Sequence, residues 1–227
     1  MEKEAYNNNA KENKTGSLTF ITGILLIICM WMFVYAIWDL TGKKLSSRVM
    51  TKISELLALI ACIIYVRVYK LKREEIGLGI HKVGSIIYKN ILLSIGLIIV
   101  MVFIKALIIN TSFNFFDQTK PFWNWNVMSW ARWIYPITVV VQEFLINGVM
   151  QESLDRIFEG KYKIFLVIGI SAFYFGAMHI HKGLGYMIGA SVMCIIVSLI
   201  YRKQRTIWGI VVTHYLLGMA AKFLGYI

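Results

Sequence analysis

Long uninterrupted apolar runs alternate with short polar, basic segments along most of this chain. The first run, Leu18–Trp38, holds 21 residues and no charge, about the length a helix needs to cross a bilayer. Six further runs each predict another helix: 53–66, 90–109, 133–150, 164–180, 184–201 and 206–221. Because the runs are continuous rather than alternating, they disfavour a transmembrane β-barrel. The pattern predicts an all-α, polytopic transmembrane helical bundle of about seven helices, within a range of six to eight.

The same pattern divides the chain into three parts. Residues 1–17 are polar and rich in asparagine, and we expect a loose amino-terminal tail. Residues 18–110 hold the amino-terminal transmembrane helices, with Glu55 near the start of the second. Residues 130–222 hold the later helices, and polar side chains interrupt their apolar runs.

Composition agrees with a membrane protein and excludes a soluble globular one. Hydrophobic residues make up 58% of the 227 and charged residues 16%, against about 45–50% and about 25% in soluble domains. The three cysteines lie inside apolar runs and form no CxxC motif, so they are predicted to be small apolar core residues rather than disulfide partners.

The net charge of +12 is explained mainly by membrane orientation. With seven helices, 15 of the 24 lysines and arginines fall on the side of the amino-terminal tail. This bias predicts a multi-pass cell-membrane protein with a cytoplasmic amino terminus. The basic loops suit anionic lipids, whereas no basic patch with interleaved aromatic residues predicts nucleic-acid binding.

Four of the seven tryptophans lie close together before and at the start of the fourth predicted helix: Trp123, Trp125, Trp130 and Trp133. An aromatic belt at the membrane interface accounts for them. The alternative is a lip that contacts a peptide or a lipid.

Polar residues inside spans are costly and often functional, and here they form three clusters. The clusters are Gln142, Glu143 and Asn147 on the fourth predicted helix, His179 on the fifth, and His214 with Gly218 on the seventh. Residues four apart share a helical face, whereas Gln142 points about 100° away from Glu143. One carboxylate and two imidazoles could surround a water, a metal ion or a scissile bond. Interhelical hydrogen bonds are the structural alternative.

In order and spacing, these clusters resemble the CPBP family of intramembrane proteases (CAAX protease and bacteriocin-processing, also called Abi). The first family motif is a Glu pair followed after three residues by Arg and usually Gly, where this chain has Gln142, Glu143, Asn147 and Gly148. The second, Phe-x-x-x-His, is intact as Phe175 and His179. The third is His followed four residues on by Asn or Asp, where this chain has His214 and Gly218. Further matches are Gln151, Leu154, Phe158 and, more weakly, 73–78.

The resemblance implies a helical intramembrane metalloendopeptidase that processes CAAX-type proteins or bacteriocin leaders, or that serves bacteriocin self-immunity. Its catalytic residues would fall on Gln142, Glu143, Asn147, His179, His214 and Gly218. In that picture the first Glu and the second-motif His activate water, and the last His with its Asn or Asp supports the oxyanion. His179 and His214 would be the candidate ligands of a divalent metal such as zinc, although a metal-free glutamate mechanism is also discussed for the family.

Three departures from the family pattern bear on catalysis. The Gln142 amide has no basic oxygen for accepting a proton from water. Asn147 lacks the charge with which Arg would pair with Glu143, and Gly218 lacks a donor beside His214. Two functions follow from this pattern: an endopeptidase with altered catalysis acting on membrane-borne peptides, or a non-catalytic scaffold (a pseudoenzyme) that binds a membrane partner or peptide. A small transporter is a further alternative, although no internal repeat is visible.

Overall fold

The computed structural model describes residues 2–40, 42, 47–109, 122–124 and 131–226. Within these ranges the chain forms seven helices and no strand, as the apolar runs predict. The first three are α1 (Glu2–Leu40), α2 (Ser47–Val68) and α3 (Val83–Ile108). The later ones are α4 (Ala131–Glu143, Phe144–Met150 and Gln151–Ile157), α5 (Lys163–Ala177), α6 (Leu184–Gln204) and α7 (Ile207–Phe223).

Two predicted boundaries are wrong. Helix α1 begins at Glu2, so the segment predicted as a loose tail is helical. Good helix formers such as Glu, Lys and Ala recur there without a proline, and the span that follows supplies a nucleus for the helix. Helix α5 ends at Ala177, so His179 lies in the turn after the helix and not inside it. A turn of 3₁₀ helix, Ile180–Lys182, then leads into α6.

Helix α4 runs through a π-helical segment in its middle. Residues Phe144–Met150 are wound as a π-helix between two α-helical parts. Single π turns occur frequently at functional sites, and six of these seven residues are buried. Pro136 lies near the start of the helix, where its missing N–H costs little.

In the part of the chain that the structure describes, four helices are long and apolar enough to span a bilayer: Thr15–Leu40, Val83–Ile108, Trp133–Ile157 and Leu184–Gln204. Helices α5 and α7 are apolar but shorter. Many large apolar side chains on these helices face outward, as lipid contact requires. The chain is therefore a helical bundle built for a membrane.

The connections after α2, α4 and α6 lie together at one end of the bundle. The backbone N–H of Ile207 donates to the Gly77 carbonyl at 2.9 Å. Arg156, near the end of α4, reaches Glu75 at 3.4 Å, and Arg202 pairs with Asp155 at 3.0 Å. These three connections share one side, as the seven-helix topology requires. The side of the membrane on which they lie stays a prediction.

Lys105 interrupts the third apolar run for a structural reason. Its side chain is buried and donates to the Phe122 carbonyl at 2.8 Å and to the Leu224 carbonyl just after α7. An ammonium at a helix carboxyl terminus satisfies free carbonyls and complements the helix dipole. Lys105 therefore links α3 to the end of α7.

The remaining predictions about cysteine and tryptophan have mixed outcomes. Cys62 and Cys194 are free and buried, as predicted, whereas the free Cys29 is exposed on α1. Of the tryptophan group, Trp125 and Trp130 lie outside the described residues. Trp123 and Trp133 are exposed on the outside of the bundle, which fits either a membrane-interface belt or a contact lip.

Candidate active site

A carboxylate and an imidazole meet between α4 and α7. Glu143 Oε1 and His214 Nδ1 are 2.6 Å apart, and both side chains are almost fully buried. The Asn147 amide also donates to Glu143 Oε2 at 2.5 Å. The sequence predicted the Glu143–Asn147 proximity from the spacing of four. It did not predict the pairing with His214, which supplies Glu143 with a partner in place of the missing Arg.

Asn147 joins the turns of α4 before and after it to helix α6. Its side-chain oxygen accepts hydrogen bonds from Ser198 Oγ on α6 at 2.7 Å and from the Gln151 amide. Its amide nitrogen holds Glu143. The residue is 1% exposed, so an uncharged hydrogen-bonding group fills the position that carries Arg in the family motif. Asn147, which lies in the π-helical segment, therefore fixes the carboxylate of Glu143 at the end of the preceding α-helical part.

Gln142 faces a different neighbour, as its position one residue before Glu143 predicts. Its amide Nε2 donates to Glu55 Oε1 on α2 at 2.7 Å. The other Glu55 oxygen, Oε2, is 2.5 Å from the Lys52 ammonium. Sequence reasoning placed Glu55 only near the start of the second helix. A lone carboxylate in an apolar run was the available signal, but nothing in the sequence relates it to a residue 87 positions away.

His179 is held in place by the helix it follows. Its Nδ1 lies 2.7 Å from the Phe175 carbonyl, and the two rings are 4.6 Å apart between centroids. The Phe175 ring also meets the His214 ring edge-on at 5.6 Å. The predicted contact between Phe175 and His179 is confirmed, and Phe175 touches the imidazoles of both the second and third motifs.

The side chains around the Glu143–His214 contact offer few donors for a metal ion. Among the described residues, no group of three or more His, Cys, Asp or Glu side chains is arranged to hold a metal ion. The two predicted ligands each place Nδ1 against an oxygen, His214 against Glu143 and His179 against a backbone carbonyl, as metal-binding histidines also do. Because no third donor is grouped with them among the described residues, they fall short of the three or four protein ligands that a zinc site usually takes. Metal ligation by His179 and His214 stays a prediction from the resemblance.

His181 lies in the same neighbourhood, although it was not among the predicted site residues. Its ring centroid is 6.4 Å from that of His179 and 5.9 Å from that of Trp31 on α1. Burial lowers the pKa of His181 and the Lys182 charge lowers it further, whereas the contact with the Met178 carbonyl and, less strongly, the Glu55 carboxylate partly oppose these effects. His181 therefore adds a third imidazole beside the second-motif histidine.

Gly218 leaves space that another helix fills. A Cβ built on Gly218 would lie 1.9 Å from the hydroxyl oxygen of Tyr135. The Tyr135 ring meets the His214 ring edge-on at 6.3 Å between centroids. Tyr135 lies on the first turns of α4, and sequence reasoning did not select it. Its hydroxyl takes the place where a third-motif side chain would begin.

The structure thus gathers all six predicted residues into one region and adds further groups. Glu143, Asn147, His179 and His214 are linked directly or through Phe175. Gln142 brings in Glu55, and Gly218 brings in Tyr135. Chemically, the region offers two carboxylates, imidazoles and a phenol, which are groups that can move protons and stabilise an oxyanion.

Comparisons with known proteins agree with the motifs. Residues 123–220 match the family model described as type II CAAX prenyl endopeptidase Rce1-like. Searches of curated proteins and of solved structures each found no match. The matched segment contains all three motifs and most of α4–α7. Residues 123–220 therefore match the Rce1-like model of the CPBP family, within a helical bundle whose apolar helices are long enough to span a membrane.

Proposed function

We propose that the protein is an intramembrane endopeptidase with an altered catalytic set, acting on a membrane-borne peptide or protein. The observation that carries this proposal is the buried Glu143–His214 contact of 2.6 Å. Burying an ion pair or a charged hydrogen bond in an apolar bundle costs desolvation free energy, and apolar side chains could hold the same helices together without that cost. Such a pair in a membrane span therefore favours a functional role.

The pair suits the stabilisation of a developing oxyanion. With Nδ1–H donating to Glu143, the imidazole has a fixed orientation and its Nε2 is directed away from the carboxylate. A protonated Nε2 can donate to the oxygen of the scissile carbonyl as negative charge develops there, and Glu143 stabilises the imidazolium. Hydrolysis also needs a base that takes a proton from water, and the Gln142 amide is not one.

The test uses the purified full chain in liposomes with quenched fluorescent peptides that carry a lipid anchor. We expect cleavage, with products identified by mass spectrometry as a new carboxyl and a new amino terminus. His214→Ala and Glu143→Gln should each lower kcat/KM by about 10²- to 10⁴-fold. His81→Ala is the matched control, because His81 is exposed in the loop before α3. Cleavage that is unaffected by His214→Ala would contradict the proposal.

A non-catalytic scaffold is the second candidate, and the amide at Gln142 favours it. In that case the same liposomes would bind the anchored peptides without hydrolysing them. Bacteriocin-peptide binding for self-immunity would be one form of this function. Saturable binding with no cleavage product would support the scaffold and overturn the endopeptidase.

A further inference from the structure

We propose that Glu55 on α2 is the general base of this site and that Gln142 positions it. The inference rests on the proposed endopeptidase function and names the group that the altered first motif lacks. Gln142 Nε2 donates to Glu55 Oε1 at 2.7 Å, so the carboxylate lies at the end of the side chain that replaces the family Glu.

The surroundings of Glu55 suit a base. Its side chain is 14% exposed, which leaves it reachable by water without being free in bulk solvent. Each carboxylate oxygen accepts one hydrogen bond, from Gln142 or from Lys52, and retains a further lone pair for a water proton. The Lys52 ammonium supplies the counter-charge at 2.5 Å.

Position relative to the other groups also fits. Gln142 and Glu143 are consecutive, so Glu55 and His214 approach α4 on neighbouring faces. The carboxylate therefore lies beside α4 at the position next to the one that His214 contacts.

The step balances without any further reactant. Glu55 takes one proton from water as the water oxygen bonds to the scissile carbonyl carbon. The carbonyl oxygen becomes an oxyanion and accepts a hydrogen bond from His214 Nε2. Glu55 then delivers its proton to the amide nitrogen as the C–N bond breaks, which leaves a carboxylic acid and an amine.

The experiment exchanges the two side chains of the Glu55–Gln142 contact. Glu55→Gln should lower kcat by about 10²- to 10⁴-fold with KM little changed. The double variant Glu55→Gln/Gln142→Glu keeps one carboxylate and one amide in the same contact, with their positions exchanged. Its kcat should be at least about tenfold higher than that of Glu55→Gln. Glu74→Gln, in the exposed loop after α2, is the matched control and should leave cleavage unchanged.

The outcomes separate this proposal from the function on which it rests. Cleavage that needs His214 but survives Glu55→Gln, or a swap that recovers nothing, would overturn the role of Glu55 and leave the endopeptidase standing. No cleavage by the wild type or by the swapped variant would overturn both. If Glu55→Gln and the swapped variant show the same fall in thermal unfolding midpoint, the lost activity reflects lost folding. That result would also overturn the role of Glu55 as the base.

A different observation, at Gly218, points to Tyr135 as a second oxyanion donor. Its hydroxyl oxygen lies 1.9 Å from where a Gly218 Cβ would be, on the same face of α7 as His214. Its ring meets the His214 ring edge-on, and the Lys222 ammonium lies 4.4 Å from its centroid. A phenol O–H so placed can donate beside His214 Nε2 to the same oxygen.

Tyr135→Phe removes only the hydroxyl and tests this role. We expect kcat to fall by about 10²- to 10³-fold with KM and the unfolding midpoint unchanged. Tyr215→Phe is the control, since the Tyr215 ring packs 5.7 Å from that of Tyr135. The variant Tyr135→Ala/Gly218→Asn should regain activity over Tyr135→Ala alone, because it moves the donor to α7. Full activity of Tyr135→Phe, or no gain from the double variant, would overturn the assignment.

Discussion

Glu143 on α4 and His214 on α7 are joined by a 2.6 Å contact across 71 positions of sequence. The contact lies where the apolar environment makes an isolated charge most costly. It therefore links the stability of the bundle to the same two groups on which the proposed chemistry depends.

The first prediction concerns that pair. His214→Ala leaves the Glu143 carboxylate buried without its imidazole, and we expect the free energy of unfolding to fall by about 3–5 kcal/mol. Glu143→Gln/His214→Ala should cost less than the sum of the two single changes, because the amide tolerates the loss of the imidazole better. Unfolding in mixed detergent micelles, followed by far-UV circular dichroism, measures all three. Strict additivity would show that the two side chains do not interact.

The second prediction concerns Gly218, the glycine of α7 that lies against Tyr135 of α4. Gly218→Ala should destabilise the protein by about 1–3 kcal/mol, because its Cβ would overlap the Tyr135 hydroxyl. Gly189→Ala on α6 is the matched control: a Cβ there meets no atom within 4 Å, and alanine favours a helix by about 1 kcal/mol.

The same overlap affects attempts to rebuild the third family motif. Gly218→Asn alone should lower the unfolding midpoint, and Tyr135→Ala should relieve that loss when combined with it. An equally stable Gly218→Asn protein would mean that Tyr135 occupies another position.

A third prediction tests the link between α3 and the end of α7. Lys105→Met removes the donor from the half-buried Phe122 carbonyl and the buried Leu224 carbonyl, and leaving the buried one unsatisfied should cost about 1–3 kcal/mol. Lys89→Met, on the exposed face of the same helix, should change stability by less than about 0.5 kcal/mol. Thermal unfolding of the two variants in one detergent compares them directly, and equal midpoints would refute the link.

The fourth prediction is a titration. Burial and Lys182 lower the pKa of His181, so the midpoint of its titration should lie below the ordinary value of 6.5. The folded protein then disfavours the charged form, so this residue's contribution to stability is present above pH 6.5 and decreases as the pH falls below it. Histidine NMR in nanodiscs can resolve it, because the chain has four histidines.

Glu55 gives that titration a second use. Because its carboxylate raises the pKa of His181, Glu55→Gln should move the midpoint of His181 further down. Glu74→Gln should leave the midpoint where it is. An unchanged midpoint in Glu55→Gln would mean that the carboxylate does not face the His179–His181 turn.

Much of this protein was predictable from local pattern. The apolar runs gave the seven helices, since a backbone in lipid must satisfy its own hydrogen bonds. The cost of polar groups in those runs identified Glu143, Asn147, His179 and His214, and the spacing of four gave the contacts Glu143–Asn147 and Phe175–His179. Helix ends were less certain, and α1 and α5 differ from the prediction for that reason.

The sequence by itself determined that this is a helical membrane protein with CPBP motifs, because apolar runs, helical spacing and loop charge are properties of residues close together in the chain. Only the tertiary structure decided which groups meet the altered motif positions. Glu55 reaches Gln142 from α2, and Tyr135 fills the space at Gly218 from α4. Contacts between helices depend on how whole helices pack, and a pattern with a period of 3.6 residues carries no record of the partner that a given face will meet.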